Sequence, residues 1–131
     1  VFLSFHLLPT MSGRDNVHLL LVLSNIADAR GKAEAALSDV GLSHRMTHFP
    51  GQLSGGERQR VAVARDLASD PELVFADEPT GNLDAKSGEG VADRLFAIAR
   101  ERKASLVLVT HDPELAKRAD RLTTKKDGLL S

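Results

Sequence analysis

The 131-residue sequence contains no cysteine, no tryptophan and no tyrosine. Without cysteine, disulfide bonds and thiolate metal sites are excluded. The apolar runs at residues 17–23 and 106–109 are much shorter than the roughly 20 residues that a membrane-spanning helix needs. Charges are nearly balanced, with 17 Lys and Arg against 18 Asp and Glu, so no strong basic field favours a nucleic-acid partner. The length suits one globular domain, and its function has to be inferred from local motifs.

The first half of the chain has the periodicity of α-helices. Ala33, Ala36, Leu37 and Val40 stand at positions i, i+3, i+4 and i+7, and Gly41 follows where a helix C-terminus favours glycine. A second helix is predicted at residues 55–68. We expect its inward residues to be Val61, Ala64, Leu67 and Ala68, and its outward residues to be Arg58, Gln59 and Arg65.

After a boundary near residues 69–71, the pattern changes to alternating strand and helix. The short apolar run at residues 73–76 predicts a strand that is buried on both faces, and the run at residues 106–109 predicts a second apolar strand. A helix is predicted between them, and another helix begins after the capping residue Asp112 and Pro113. The order strand, helix, strand, helix implies a parallel sheet with right-handed crossovers.

Residues 53–60, Leu-Ser-Gly-Gly-Glu-Arg-Gln-Arg, predict a helix start that faces an anion. Ser54 is a favourable N-cap, and Glu57 completes a capping box with it. Gly55 and Gly56 have no side chains that would keep a phosphate from the free amides of the first turn. Ser54, Gly55 and Gly56 are therefore candidate phosphate-binding residues.

Polar residues follow both predicted strands. Asp77 and Glu78 come after the first strand, and His111 comes after the second. In open α/β sheets, ligands bind beyond the carboxyl ends of the strands. Asp77 is placed to hold Mg²⁺, because hard cations take oxygen ligands. Glu78 could polarise or orient an attacking water, and His111 could hydrogen-bond to a terminal phosphate or to that water.

Each of these motifs also has a purely structural interpretation. Asp77 and Glu78 could be a polar strand end that leads into a turn, and His111 could simply be solvated. The capping box of Ser54 and Glu57 could serve only to start the helix. Their occurrence together, in this order and spacing, favours a nucleotide site.

Together these motifs resemble the nucleotide-binding domain of ABC ATPases, and the resemblance extends over residues 1–128. Residues 53–57 are similar to the signature motif of that family. Residues 73–77 resemble its Walker B strand, which is followed by the catalytic glutamate at Glu78. Residues 81–84 resemble its D-loop, and His111 resembles its switch histidine.

The resemblance implies an α/β fold with a P-loop NTPase-like core, parallel strands and an N-terminal helical subdomain. It implies one domain over residues 1–131, with a helical signature part at residues 1–70 and a core part at residues 71–131. The run at residues 76–84 looks most like the bacterial subgroup that includes lipoprotein-release and macrolide-export ATPases.

In this family, two domains pair head to tail and enclose two nucleotides. The resemblance therefore implies that Ser54, Gly55, Gly56 and Glu57 contact ATP bound to a partner chain. Asp77, as the Mg²⁺ ligand, and the catalytic residues Glu78 and His111 would serve ATP bound to the same chain. Asp84 of the D-loop would lie at the dimer contact.

The sequence departs from the family in its phosphate loop. No G-x-x-x-x-G-K-[ST] pattern occurs, and the one Gly-Lys pair, Gly31-Lys32, is followed by Ala33. In the family this loop lies upstream of the segment that matches Val1. We therefore expect an N-terminally truncated domain that is inactive as an isolated chain.

Three smaller departures concern other positions. Leu3 stands where the family has a glutamine that contacts Mg²⁺. Asp66 stands where a small apolar residue is usual, so we expect it to be exposed or paired with Arg65 or Arg58. Lys125 and Lys126 interrupt the strand pair expected around Gly128, which makes a C-terminal hairpin doubtful.

The resemblance implies the ATP-hydrolysing subunit of an ABC transporter, which pairs with a second ATPase domain and a transmembrane permease. It would lie in the cytoplasm on the inner face of the membrane, with ATP and Mg²⁺ as cofactors and no nucleic acid as partner. Two alternatives stay open. The chain could be a non-catalytic module that donates its signature to another subunit, or an ABC ATPase with no role in transport.

Overall fold

The computed structural model describes residues 5–126 and 129–130 of the chain. The first half contains α1 (Gly13–Leu23), α2 (Ala29–Asp39) and α3 (Gly55–Leu67), with short 3-10 turns at Ser43–Arg45 and Pro50–Gln52. The second half contains β1 (Leu73–Asp77), α4 (Ala85–Glu101), β2 (Ser105–Val109) and α5 (Pro113–Ala116), followed by β3 (Lys125–Lys126) and β4 (Leu129–Leu130). The sequence of elements is the one that the periodicity predicts, apart from α1 and the last two strands.

Helix α2 ends as its sequence predicts. Gly41 has a φ of +75°, which glycine adopts without steric cost. The amide of Leu42 then donates to the carbonyl of Leu37 at 2.8 Å, which closes the helix C-terminus. Leu37 and Leu42 are both fully buried, so this turn directs the chain back onto the core.

Helix α3 lies at the centre of the fold and packs against α1, α2 and α4. Because neighbours surround it, its buried residues include Ala62 and Val63 as well as the predicted inward set. The prediction that Gln59 points outward is wrong, since this side chain is 1% exposed. Gln59 stands four residues before Val63 and eight before Leu67, so it begins a second buried stripe of the helix.

Strands β1 and β2 pair in parallel, with Asp77 opposite Val109 at their carboxyl ends. One face of this sheet joins the core through Val74 and Ala76, and Leu106 and Leu108 pack against the same core. The prediction that both faces of β1 are buried is wrong for the described residues, because the helices cover only this one face. The other face exposes Leu73, Phe75, Val107 and Val109 by 43–63% of their surfaces.

Helix α1 was not recognised in the sequence, because a buried polar residue interrupts its apolar pattern. Asn16 is 5% exposed, and its amide nitrogen donates to the carbonyls of Leu8, Met11 and Ser12. Its amide oxygen accepts from the backbone of Leu8 at 2.7 Å. Asn16 therefore ties the chain before α1 to the helix, a role that hydrophobic periodicity cannot indicate.

The C-terminal pair β3 and β4 corrects another expectation. Lys125 pairs with Leu130 and Lys126 with Leu129 in antiparallel register. The lysines do not prevent pairing because both are exposed, and burial of their charges is not required. Leu3 and Gly128 themselves lie outside the described residues.

Asp66 is paired, as the sequence analysis expects. Its Oδ1 lies 2.8 Å from Nε of Arg65, and the two side chains are 20% and 14% exposed.

No helix of the described residues is long and apolar enough to cross a membrane.

Candidate functional site

The turn after β1 has a strained backbone. Glu78 has a φ of +43°, in the left-handed region that residues other than glycine rarely adopt. Its amide continues the sheet by donating to the carbonyl of Val109 at 2.9 Å, and its own carbonyl accepts from Gly81 at 3.1 Å. Such strain persists only where the surroundings hold it, and it is typical of functional sites.

The carboxylate of Glu78 contacts the end of the neighbouring strand. Its Oε1 accepts from the backbone amide of His111 at 2.8 Å, and Nδ1 of the His111 ring also lies 2.8 Å away. Its Oε2 lies 3.4 Å from the hydroxyl of Thr110. The Glu78 side chain is 21% exposed and that of His111 is 82% exposed. The structure therefore brings together the two residues for which the sequence indicates a catalytic role.

Asp77 projects from the other face of the same strand end. It alternates with the exposed Leu73 and Phe75, so its carboxylate faces away from the helices. None of the described residues forms a hydrogen bond or ion pair with this carboxylate. A free carboxylate beside Glu78 fits a magnesium site, because Mg²⁺ takes one or two protein carboxylates and fills its remaining positions with phosphate oxygens and water.

The start of α3 forms the predicted capping box. The amide of Ser54 donates to Oε2 of Glu57 at 2.8 Å, and the amide of Glu57 donates to the hydroxyl of Ser54 at 3.1 Å. Nε of Arg45 lies 3.4 Å from Oε1 of Glu57. The hydrogen bond from the Ser54 backbone, followed by the charge of Arg45, lowers the pKa of Glu57 below its usual value of 4.5. Glu57 is therefore held as a carboxylate that shapes this loop.

Gly55 and Gly56 have a packing role that the sequence did not indicate. A Cβ atom on Gly55 would lie 3.3 Å from Cδ2 of Leu83, and one on Gly56 would lie 3.2 Å from Cβ of Ser87. These distances are shorter than ordinary contacts, so the glycines let α3 pack closely against Leu83 in the loop before α4 and against Ser87 in the first turn of α4. Their amides belong to the first turn of α3, where the helix supplies no acceptors.

Asp84 is the N-cap of α4. Its side chain accepts from the amide of Ser87 at 3.1 Å. The hydrogen bond with the Ser87 side chain, followed by the one with its amide, lowers the pKa of Asp84. Leu83 and Ser87, on either side of it, are the residues that approach Gly55 and Gly56. The structure therefore places the predicted signature against the predicted D-loop within one chain.

Gln59 is the residue of this region that the sequence analysis missed. Its Nε2 donates to the carbonyl of Pro79 at 2.6 Å, immediately after the strained residue Glu78. The i, i+4, i+8 spacing of Gln59, Val63 and Leu67 could have indicated its burial. Nothing in that spacing identifies its partner 20 positions away.

Comparison with known proteins gives consistent matches. A family model described as ABC transporter matches residues 1–81. The chain is 52% identical over 127 residues to the lipoprotein-releasing system ATP-binding protein LolD of Shewanella sp. strain MR-4. It is 48% identical over 132 residues to the uncharacterized ABC transporter ATP-binding protein YbbA of Escherichia coli K12. These alignments cover 95% and 99% of this chain but 55% and 58% of the relatives.

A solved structure is also similar. The ATP-binding cassette MJ0796, in a dimeric post-hydrolysis state bound to ADP and Pi, superposes with a TM-score of 0.81 at 37% identity. The superposition covers 97% of this chain and 58% of that one. The chain thus spans about half the length of the proteins it matches, and it shares their cassette fold over that span.

Proposed function

The chain belongs to the ABC transporter family, and from this premise we propose that it forms part of the ATP-binding and ATP-hydrolysing subunit of a transporter. Nucleotide-driven pairing with a second ATPase domain would energise transport through a transmembrane permease at the inner face of a membrane. Residues 1–70 would provide the signature part and residues 71–131 the catalytic part of one domain. The relatives named for lipoprotein release and ABC transport support this proposal.

The observation that carries the proposal is the contact between Glu78 and His111. One carboxylate oxygen of Glu78 is held by the His111 amide at 2.8 Å, and the strained turn fixes the carboxylate at the carboxyl end of the sheet. A carboxylate held in this way can orient a water and accept its proton during in-line attack on a γ-phosphate. His111, which is largely exposed, would contact the terminal phosphate or the attacking water.

Asp77 is the residue that would hold magnesium. When bound, the metal neutralises charge on the phosphates of the nucleotide. The exposed carboxylate of Asp77 suits this role because it does not have to break a contact with another described residue. In this proposal the carboxylate of Asp77 binds the cation, and the carboxylate of Glu78 orients the attacking water.

The start of α3 would serve a second nucleotide, held by the partner domain. The first-turn amides of Gly55 and Gly56 and the hydroxyl of Ser54 form an anion site at the positive end of the helix. Glu57 would maintain the loop through its bond to the Ser54 amide. Asp84, exposed at the start of α4, would lie at the contact between the two domains. The dimeric ADP-bound neighbour supports this arrangement.

A full-length chimera tests the catalytic part of the proposal. In it, this chain replaces the aligned region of the Shewanella relative, and Mg-ATP hydrolysis is measured at saturating ATP. We expect Glu78→Gln to lower kcat by about 100-fold or more, because a general base contributes at least that factor, and to leave ATP binding intact. Glu72→Gln, which replaces an exposed carboxylate immediately before β1, is the matched control and should retain full activity.

The outcomes of this experiment separate the candidate functions. A chimera that binds ATP, loses hydrolysis with Glu78→Gln and with Ser54→Arg, and keeps it with Glu72→Gln supports the proposal. Activity that resists Glu78→Gln but is lost when Ser54 is replaced by Arg would instead support a module that only donates its signature. Activity insensitive to both changes would overturn the proposal.

A further inference from the structure

Gln59 is a buried polar side chain that connects two parts of the candidate site. It is 1% exposed, and its Nε2 donates to the carbonyl of Pro79 at 2.6 Å. Pro79 is itself among the fully buried residues. A buried carbonyl that loses its donor is costly, so this hydrogen bond constrains the backbone at Pro79 strongly.

The backbone at Pro79 is the one that orients Glu78. The left-handed φ of Glu78 requires support from outside the turn. The sheet supplies one support through the bond from the Glu78 amide to Val109, and the bond from Gly81 to the Glu78 carbonyl closes the turn. The amide of Gln59 supplies a further support, from a different element and from the buried side.

The same helix that carries Gln59 begins with the signature. Gln59 follows Ser54 by five residues, which is little more than one helical turn. At its N-terminus, α3 also packs through Gly55 and Gly56 against Leu83 and Ser87. The helix therefore contacts the chain segment after β1 at two separate places, one polar and one apolar.

We propose that Gln59 is a positioning residue that fixes the Glu78 turn to helix α3. The bond from Gln59 to Pro79 fixes the position of the Glu78 turn relative to the start of α3, which faces the anion. The inference rests on the proposed function, in which the start of α3 serves the partner's nucleotide and Glu78 serves the nucleotide of its own chain. A displacement at one site is then transmitted to the other within this chain.

The first test measures amide hydrogen exchange in the chain itself. Gln59→Met keeps the length of the side chain and removes the donor. We expect the Gly81 amide to exchange about tenfold faster in this variant, because the turn opens more easily. Asn16→Leu is the matched control, since it removes an equally buried amide from a different part of the core. It should lower the melting temperature without a selective change at Gly81.

The second test measures catalysis in a paired assay. The chain is mixed with a full-length Shewanella relative that carries Arg at the position aligned with Ser54, so that Mg-ATP hydrolysis depends on the signature of this chain. We expect Gln59→Met to lower kcat by about tenfold or more and to change KM by less than about twofold. In this mixture the start of α3 serves the nucleotide that is hydrolysed, and loss of the bond from Gln59 to Pro79 would shift that start relative to the reacting phosphate. Asn16→Leu should leave both constants unchanged at temperatures where it is folded.

If Gln59→Met does not fold, Gln59→Asn replaces it, because the shorter amide cannot reach Pro79. Faster exchange at Gly81 together with a selective fall in kcat supports the proposal. Three results would overturn the proposal. The Gly81 amide could exchange at the same rate in Gln59→Met, it could exchange equally fast in Asn16→Leu, or kcat could stay normal although exchange at Gly81 is faster. If the mixture with the unaltered chain does not hydrolyse Mg-ATP, signature donation is refuted. Hydrogen exchange at Gly81 alone then decides whether Gln59 positions the Glu78 turn.

Discussion

Replacing Glu57 by Gln tests how the charge of the capping box stabilises the start of α3. The Glu57 carboxylate accepts from the Ser54 amide at 2.8 Å and lies 3.4 Å from Arg45, and its side chain is 16% exposed. A hydrogen bond to a charged group contributes about 1.5–3 kcal/mol, and a neutral one contributes about 0.5–1.5 kcal/mol. The ion pair with Arg45 adds only about 0–1 kcal/mol because both groups are partly solvated. Glu57→Gln should therefore lower the free energy of unfolding by about 1 kcal/mol at pH 7.

The pH dependence of this difference follows from the lowered pKa of Glu57. Its pKa in the folded state lies below the usual 4.5, first because of the Ser54 backbone bond. The ionised group therefore stabilises the fold at pH values above 4.5, and this contribution is lost as the pH falls through the folded-state pKa. The difference between the chain and Glu57→Gln should be constant near neutrality and should shrink in acid.

Urea unfolding followed by helical circular dichroism measures both quantities, at pH 7 and in acid. The two proteins differ only at residue 57, so the comparison isolates the contribution of that side chain. Glu72→Gln is the control, since Glu72 is exposed, and it should show neither the loss nor the pH dependence. The reasoning is refuted if Glu57→Gln lowers the free energy of unfolding by the same amount at both pH values. It is also refuted if Glu57→Gln is as stable as the unaltered protein at pH 7.

Two further predictions concern packing and association. Arg102 donates to the Leu67 carbonyl at 2.7 Å, so Arg102→Met should lower the free energy of unfolding by about 1–2 kcal/mol in urea titrations. The loss should persist in 1 M salt, and its disappearance there would instead assign it to the ion pairs of Arg102. Phe75 is 63% exposed on the apolar sheet face, so sedimentation should show concentration-dependent association that Phe75→Ser weakens. Val22→Ser on α1, also exposed, should leave association unchanged if the sheet face is responsible.

The regular elements could be predicted because their patterns are local. The apolar face of α4, the C-terminal glycine of α2 and the two short strands all follow from periodicity and capping, and the structure confirms them. The parallel pairing also predicted that Glu78 and His111 come together, since both residues end neighbouring strands. The direction of the Glu78 carboxylate depends on its positive φ, which a sequence pattern does not indicate.

The contacts that the sequence did not predict are those between distant segments. Asn16 and Gln59 are buried polar residues that donate hydrogen bonds to backbone carbonyls. Gln59 was predicted to point outward, and Asn16 lies in a helix that the sequence pattern did not predict. The exposed face of β1 was expected to be buried, because a continuous apolar run does not show which helices cover a strand. The close approach of Gly55 to Leu83 likewise depends on how α3 meets the loop before α4.

The central claim is that the signature of this chain acts on a nucleotide held by a partner. The paired assay with the Shewanella relative tests it most directly, by comparing Ser54→Arg with Glu78→Gln in this chain. The account predicts that Ser54→Arg abolishes Mg-ATP hydrolysis by the mixture and that Glu78→Gln leaves it unchanged, because Glu78 serves a different nucleotide. Hydrolysis that survives Ser54→Arg, or that is lost with Glu78→Gln, would contradict it.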